Sequence, residues 1–244
     1  MTSAITPILV LLGIVGGMVA LFVTWQRLQL RKRMQCWVWQ TQEVLSKHFA
    51  ASVLAMLAKG ERVLVVTHFS ETQQDILLAL EQAGLRCEKV ESLQTAMAYT
   101  GSSNDRVFWI EGETLERHVP QPTSGASVMH PLTVLVPELH PLPDRRLLLE
   151  AQIKKAPKGS TLLLWSAIDS AMFRYMGSGS TDTTGLFRMM ESMGMEEDEP
   201  LNSSIFVSLT LTLQQRAKSR HAGHTNASSA LDWYQRSFGE PPAR

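Results

Sequence analysis

The stretch Arg62–Leu85 reads RVLVVTHFSETQQDILLALEQAGL, and it decides the fold class. Its first six residues, Arg62–Thr67, form a short apolar run rich in β-branched side chains, as expected of a strand covered on both faces. The pattern then changes period. Ile76, Leu77 and Leu80 recur at helical spacing within Glu71–Ala83, and Gly84 supplies the stop. A buried strand followed at once by an amphipathic helix is the unit of an α/β sheet.

The unit recurs downstream. Arg86–Val90, Arg106–Ile110 (RVFWI), Leu132–Val136 (LTVLV) and Ser160–Trp165 (STLLLW) read as further strands, with Asp144–Lys155 a helix between the last two. Five strands alternating with helices predict a doubly wound, parallel five-stranded sheet. Gly101–Asp105 and Pro120–Pro131 read as loops. Ser170–Met176, Thr183–Met193 and about 203–220 read as helices packed after the sheet, and Ala230–Phe238 as a short helix in a polar end. The acidic residues at 196–199 read as a solvated turn.

Upstream, Met34–Lys59 reads as one helix through Val38, Leu45, Phe49, Val53, Leu54 and Leu57, ended by Gly60. Trp37 and Trp39 are expected at a membrane surface. Before it, Ile5–Trp25 is 21 residues without a charge, long enough as a helix to span about 30 Å, a bilayer core. A cleaved leader would want a basic start and a small-residue cleavage site. Arg27, Arg31, Lys32 and Arg33 follow the run instead. By the positive-inside rule this predicts a single transmembrane anchor in a bacterial inner membrane, with the rest cytoplasmic. Gly13 and Gly17 form a GxxxG pair that could bring two such helices together as a homodimer. The expected organisation is an anchor with its basic flank (1–33), a connecting helix (34–60), the α/β domain (61–220) and a polar tail (221–244).

Composition excludes several function classes. The chain has 244 residues, with 23 basic and 23 acidic side chains. A nucleic-acid binder normally carries a basic excess, so no nucleic-acid partner is expected. Two cysteines, Cys36 and Cys87, make neither a disulfide framework nor a CxxC metal site. His221 and His224 form an HxxH pair, two ligands short of a structural zinc site, so no metal is expected. Lys158-Gly159-Ser160-Thr161 lacks the GxxxxGK[ST] spacing that wraps phosphate, and neither GxGxxG nor GxSxG occurs.

One polar cluster falls where ligands bind in open α/β sheets, outside the carboxyl ends of strands. Thr67, His68 and Ser70 follow one strand, and Glu138, His140 and Asp144 follow another. They are the expected ligand or partner edge. The bland alternative is that they cap helices and tie loops, with Asp144 as an N-cap.

In order along the chain, these segments resemble the second nucleotide-binding motor domain of the SecA preprotein translocase ATPases. The resemblance runs from about Lys59 to Lys218. It is carried by Gly60–Leu85, by Val136–Asp144 (VPELHPLPD) through Glu138, His140 and Asp144, by Lys158–Gly177 (KGSTLLLWSAIDSAMFRYMG), and by Met190–Pro200 (MESMGMEEDEP) with Leu201–Arg216. It implies a helicase-like (RecA-type) fold. The family's GRGTD stretch is missing at Glu111–Val119, and its arginine-finger segment falls opposite Leu149–Gly159, where only Lys154, Lys155 and Lys158 are cationic. Lysine does not replace the planar arginine fork. The P-loop domain is absent from the sequence. The resemblance therefore implies a non-catalytic, membrane-anchored accessory in protein export, docking to the translocation channel or to the SecA motor, with no cofactor of its own. Two alternatives stand beside it. The domain could supply half of a nucleotide site completed in trans by a P-loop ATPase, with Arg145, Arg146, Lys154, Lys155 and Lys158 approaching phosphate. Or it could be a membrane scaffold of an unrelated assembly.

Overall fold

The computed structural model describes residues 33–100, 106–117, 129–177, 183–192, 194–196, 198–202, 204–220 and 226–239. The chain divides into two compact units, Met1–Met34 and Gln35–Arg244. The second unit holds the sheet and its helices.

The sheet is organised around β2 (Val63–Thr67), whose five residues are all buried. Parallel partners flank it: β4 (Arg106–Glu111) with Leu64 opposite Phe108, and β5 (Thr133–Val136) with Leu64 opposite Val134. β3 (Arg86–Lys89) extends the sheet beyond β4, and β6 (Thr161–Ala167) extends it beyond β5, both parallel. These are the five expected strands. Two more lie past β6. β1 (Met34–Trp39) neighbours β6, and β7 (Leu201–Asn202) pairs with β1 antiparallel. The order is β3-β4-β2-β5-β6-β1-β7, a mixed seven-stranded sheet where a five-stranded parallel one was expected.

Met34–Trp39 is the clearest local departure: the expected continuous helix over 34–59 begins with a strand. Cys36 and Val38 are buried on one side by a period of two. Trp37 and Trp39 pack on Trp165, with ring centroids 5.8 and 5.5 Å away, so they belong to the domain's own core. The helix α1 (Gln42–Ala58) starts only after Thr41, whose hydroxyl accepts the Val44 N–H at 3.2 Å.

Helices cover both faces. α1 and α2 (Ser70–Gln82) place Leu45, Phe49, Val53, Ile76 and Leu80 in one apolar cluster with Val63, Val65, Val107, Leu135 and Leu163. The alternating sheet residues Leu64, Val66, Phe108, Val134, Val136 and Leu162 are buried as well, and point to the other face. There α5 (Pro143–Lys155) packs on β6 and on α8 (Ser204–Arg220). Two short helices, α3 (Leu93–Ala98) and α4 (Gly112–Arg117), were not anticipated. α6 (Ala171–Met176), α7 (Thr183–Ser192) and α9 (Ala230–Phe238) follow the expected ranges closely.

The membrane-anchored reading is corrected. Among the described residues no helix is long and apolar enough to cross a membrane. The longest of them, α1 and α8, have 17 residues each and span about 26 Å. Both carry charges, Glu43 and Lys47 on α1, Arg216 and Lys218 on α8, and both spend their apolar face on the domain core. Ile5–Trp25, with Gly13 and Gly17, lies outside the described residues. The inner-membrane location, the homodimer through a membrane helix and the docking to a channel or motor at the membrane have no span among the described residues to stand on and are withdrawn.

Candidate functional site

The chain leaves β2 toward β3 on one side and leaves β5 toward β6 on the other, although β2 and β5 are neighbours. The loops at their carboxyl ends therefore diverge and form a topological switch point, where open α/β sheets bind ligands. A cavity of about 260 Å³ lies there. The β2–α2 loop contributes His68 and Phe69, and the β5–α5 loop contributes His140 and Leu142. Arg145 enters from the first turn of α5, and Glu113 stands at the rim on α4. Asn226, Ala227 and Trp233 close the far wall.

The aromatic rings set the cavity's shape. His140 lies nearly parallel to Phe69, 5.5 Å between centroids and 9° between planes. His68 meets His140 edge-on at 5.4 Å, and Trp233 does so at 6.1 Å. The Leu142 N–H donates to His140 Nδ1 at 3.0 Å, which makes Nδ1 the acceptor nitrogen and leaves the ring proton to Nε2. The His140 carbonyl accepts from Gln214 Nε2 at 2.8 Å, tying this loop to α8.

His68 sits tight against backbone. A Cβ on Gly112 would fall 2.2 Å from His68 Nδ1, so only glycine leaves room for the ring. Burial, and then the positive charge of Arg145, push the His68 pKa down to about 3. His68 is thus a neutral imidazole at ordinary pH.

The remaining residues of the expected ligand edge do not all reach the cavity. Thr67 ends β2 buried, its hydroxyl without a hydrogen-bond partner among the described residues. Ser70 is exposed at the start of α2. Glu138 turns away from the cavity: its carboxylate accepts from the Thr72 hydroxyl and from the Ala230 N–H, joining the first turns of α2 and α9. Burial raises its pKa above the usual carboxylate range, against those hydrogen bonds. Asp144 is not the N-cap of α5, a position held by Leu142; it lies in the first turn and pairs with Lys218 at 2.7 Å, linking α5 to α8.

The cations separate sharply. Arg145 lines the cavity. Arg146, one residue on, pairs with Glu150 inside the α5–α8 contact and donates from Nε to Gln214 at 3.1 Å. Lys154 and Lys155 end α5, 13 residues or about 20 Å along the helix from its amino end. Lys158 follows them in the turn into β6, at the amino edge of the sheet. The helix places these three lysines at the opposite edge from the cavity.

No protein-family model matches the chain. No curated protein matches it either. Among solved structures, the chain is similar to one described as the crystal structure of the C-terminal part of the Fun30 ATPase domain, with a TM-score of 0.39 and 10% identity over 73% of this chain and 55% of that one. The likeness is remote and partial, to an ATPase domain and not to SecA in particular. At that score it says nothing about the cavity.

Phe69, Glu113, Leu142, Asn226, Ala227 and Trp233 were not singled out in the sequence. Those at the carboxyl ends of β2 and β5 follow directly from the switch-point rule. The wall formed by residues 226–233 had one local signal, Ser229 followed by Asp232. This is an S-x-x-D capping pattern, and the Asp232 N–H does donate to Ser229 Oγ at 3.2 Å. Among the described residues, no group of three or more His, Cys, Asp or Glu side chains is placed to hold a metal ion.

Proposed function

We propose that the switch-point cavity is a binding half-site for a phosphate-bearing ligand of the nucleotide class, completed by a partner that carries a P-loop. The observation that carries the reading is that two loops diverging from neighbouring strands bring His68, His140 and Arg145 to one cavity at the amino end of α5. A helix amino end and an arginine fork both favour anionic oxygens. The stacked His140 and Phe69 rings and the Trp233 indole offer flat walls to a base or sugar.

Size supports a shared site. Small-molecule pockets usually hold roughly 300–1,000 Å³, and this cavity, at about 260 Å³, falls below that range. The SecA-like blocks of the sequence support the same reading, since the motor domain they resemble contributes one side of a nucleotide site. The sequence contains no P-loop, so we infer that this chain binds without hydrolysing.

The test is calorimetric titration of the full chain with pyrophosphate and with ADP, beside Arg145→Gln. A half-site should bind with a Kd on the order of 1 mM, equivalent to about −4 kcal/mol. Arg145→Gln should abolish the signal. Equal binding by wild type and Arg145→Gln sinks the assignment.

A further inference from the structure

The β5–α5 loop borders a second, much smaller cavity on its Glu138 side. Ser166 of β6, Ser170 before α6, Gln42 at the start of α1 and Ala230 at the start of α9 line it too. These elements converge on a volume of about 10 Å³, the room of one water-sized occupant.

Two observations give this volume a chemistry. The first is an oxygen with nothing to bond. Ser170 stands at the N-cap of α6, where a hydroxyl ordinarily accepts from the helix, yet it makes no such bond. Its Oγ is buried and has no hydrogen-bond partner among the described residues. The hydroxyl of Ser166, a residue 5% exposed, lines the same cavity. The second observation is a mostly buried carboxylate without a counter-charge on record. Glu138 accepts from the Thr72 hydroxyl and from the Ala230 N–H, both neutral donors. The charges that act on it, Glu71 and Asp75, are negative. Buried charges are as a rule paired or bound to a metal ion. Protonation would also discharge the group, and burial pushes that way. The Ala230 N–H can only donate, however, which favours the ionised form, and Ser170 Oγ lies outside hydrogen-bond reach of a carboxyl proton.

We propose that this cavity is a monovalent cation site, in which one ion of the sodium or potassium type is held by the Glu138 carboxylate and the Ser166 and Ser170 hydroxyls. Oxygen ligands suit such hard cations. One carboxylate balances one positive charge, and Glu71 and Asp75 do not line the cavity, so a divalent ion is not called for. The ion joins the loops after β5 and β6 to the first turns of α1 and α9, and so stabilises the folded chain. Its charge opposes the burial and the two neighbouring carboxylates that raise the Glu138 pKa, so binding it releases a proton from the fraction of Glu138 that is protonated. The site stands apart from the nucleotide half-site and does not depend on it.

The experiment is urea unfolding of the full chain in sodium chloride, potassium chloride and choline chloride at equal concentration, so that ionic screening is the same in all three. An ion that binds only the folded chain raises the folded-to-unfolded ratio by one plus its concentration over Kd, about tenfold at roughly ten times Kd. The expected result is a ratio about tenfold higher in sodium or potassium than in choline. Glu138→Gln keeps the shape and removes the charge, and should abolish the difference. Ser170→Ala removes one ligand and adds no charge, and should shrink the difference while leaving stability in choline nearly unchanged. It carries the test on its own if Glu138→Gln does not fold. Equal stability of the wild-type chain in the three salts overturns the proposal and leaves the cavity to a water only. A salt difference that survives intact in Ser170→Ala and in Glu138→Gln also overturns it, because the ion then binds elsewhere.

Discussion

Gly112→Ala tests the cavity's floor directly. The added Cβ would lie 2.2 Å from His68 Nδ1 and 2.7 Å from Cε1, well inside van der Waals contact. Backbone cannot yield easily, because Gly112 directly follows Glu111 of β4, which is paired with Thr67 of β2. The imidazole must rotate out of its place instead. Overpacking of this kind costs about 1–3 kcal/mol, offset by up to about 1 kcal/mol from alanine's better helix propensity in α4. A net loss of about 1–2 kcal/mol is expected, which lowers Tm by roughly 2–8 °C in a chain of this size. Urea unfolding of wild type, Gly112→Ala, His68→Ala and the double variant isolates the contact. In the His68→Ala background the ring is gone, and Gly112→Ala should become neutral or slightly stabilising. A coupling energy of about 1 kcal/mol or more is the signature of two groups in contact. If Gly112→Ala costs the same with and without the His68 ring, the close approach is not what holds His68 and the reasoning fails.

His68→Gln should remove a pH dependence. The native imidazole binds its proton only near pH 3 while the unfolded one binds it near 6.5, so this group's contribution is full above 6.5 and is lost as pH falls toward 3. The wild-type-minus-variant difference should shrink by up to about 1.4 kcal/mol per pH unit in that window, read from urea midpoints at several pH values. Glu138 works in the opposite direction. Its raised native pKa makes folding less favourable as pH rises above the ordinary carboxylate value of about 4.3, so Glu138→Gln should flatten that decline in the same titration. Arg146→Met leaves Glu150 buried without its partner and should cost about 3–5 kcal/mol, whereas Arg146→Met with Glu150→Leu should recover most of it in chemical unfolding. Ser229→Ala removes the cap of α9 and should cost about 1 kcal/mol, with hydrogen exchange quickening in 230–238 before it quickens in the sheet.

The sheet's centre was legible because burial on both faces leaves one kind of sequence. β2 and β5 are short apolar runs with turn residues at each end, and helical spacing identifies α2 between two of the strands. The flank was not legible for a physical reason. Val38, Leu45, Phe49 and Val53 fall at intervals of seven, four and four, which a helix satisfies, so the strand Met34–Trp39 was absorbed into α1. Thr41, the cap that separates them, was the available signal. β7 has only two residues and no period to detect. His68 and His140 were found because strand ends carry ligand sites, whereas Trp233 comes to the cavity through a segment far along the chain, beside the Glu71–Ser228 contact that local pattern does not encode.

The charge balance of the cavity bears on the proposed half-site. Among the described residues the lining holds one arginine and one carboxylate, Arg145 and Glu113, and a His68 kept neutral. Their sum is close to zero. A transferring phosphoryl group spreads charge over its oxygens and needs several preorganised cations, commonly a metal ion, a lysine and an arginine finger. Arg146 cannot swing in to help, because removing it from Glu150 and Gln214 would strand a buried carboxylate. The lysines at the far end of α5 cannot reach. On the half-site reading proposed above, this lining would offer a nucleotide one fork, one helix end and flat walls. The same reading expects any hydrolysis at this edge to need cations beyond those of the described lining. A P-loop partner added to wild type should then raise pyrophosphate affinity far more than it does with Arg145→Gln, and equal enhancement in the two would place the shared site elsewhere.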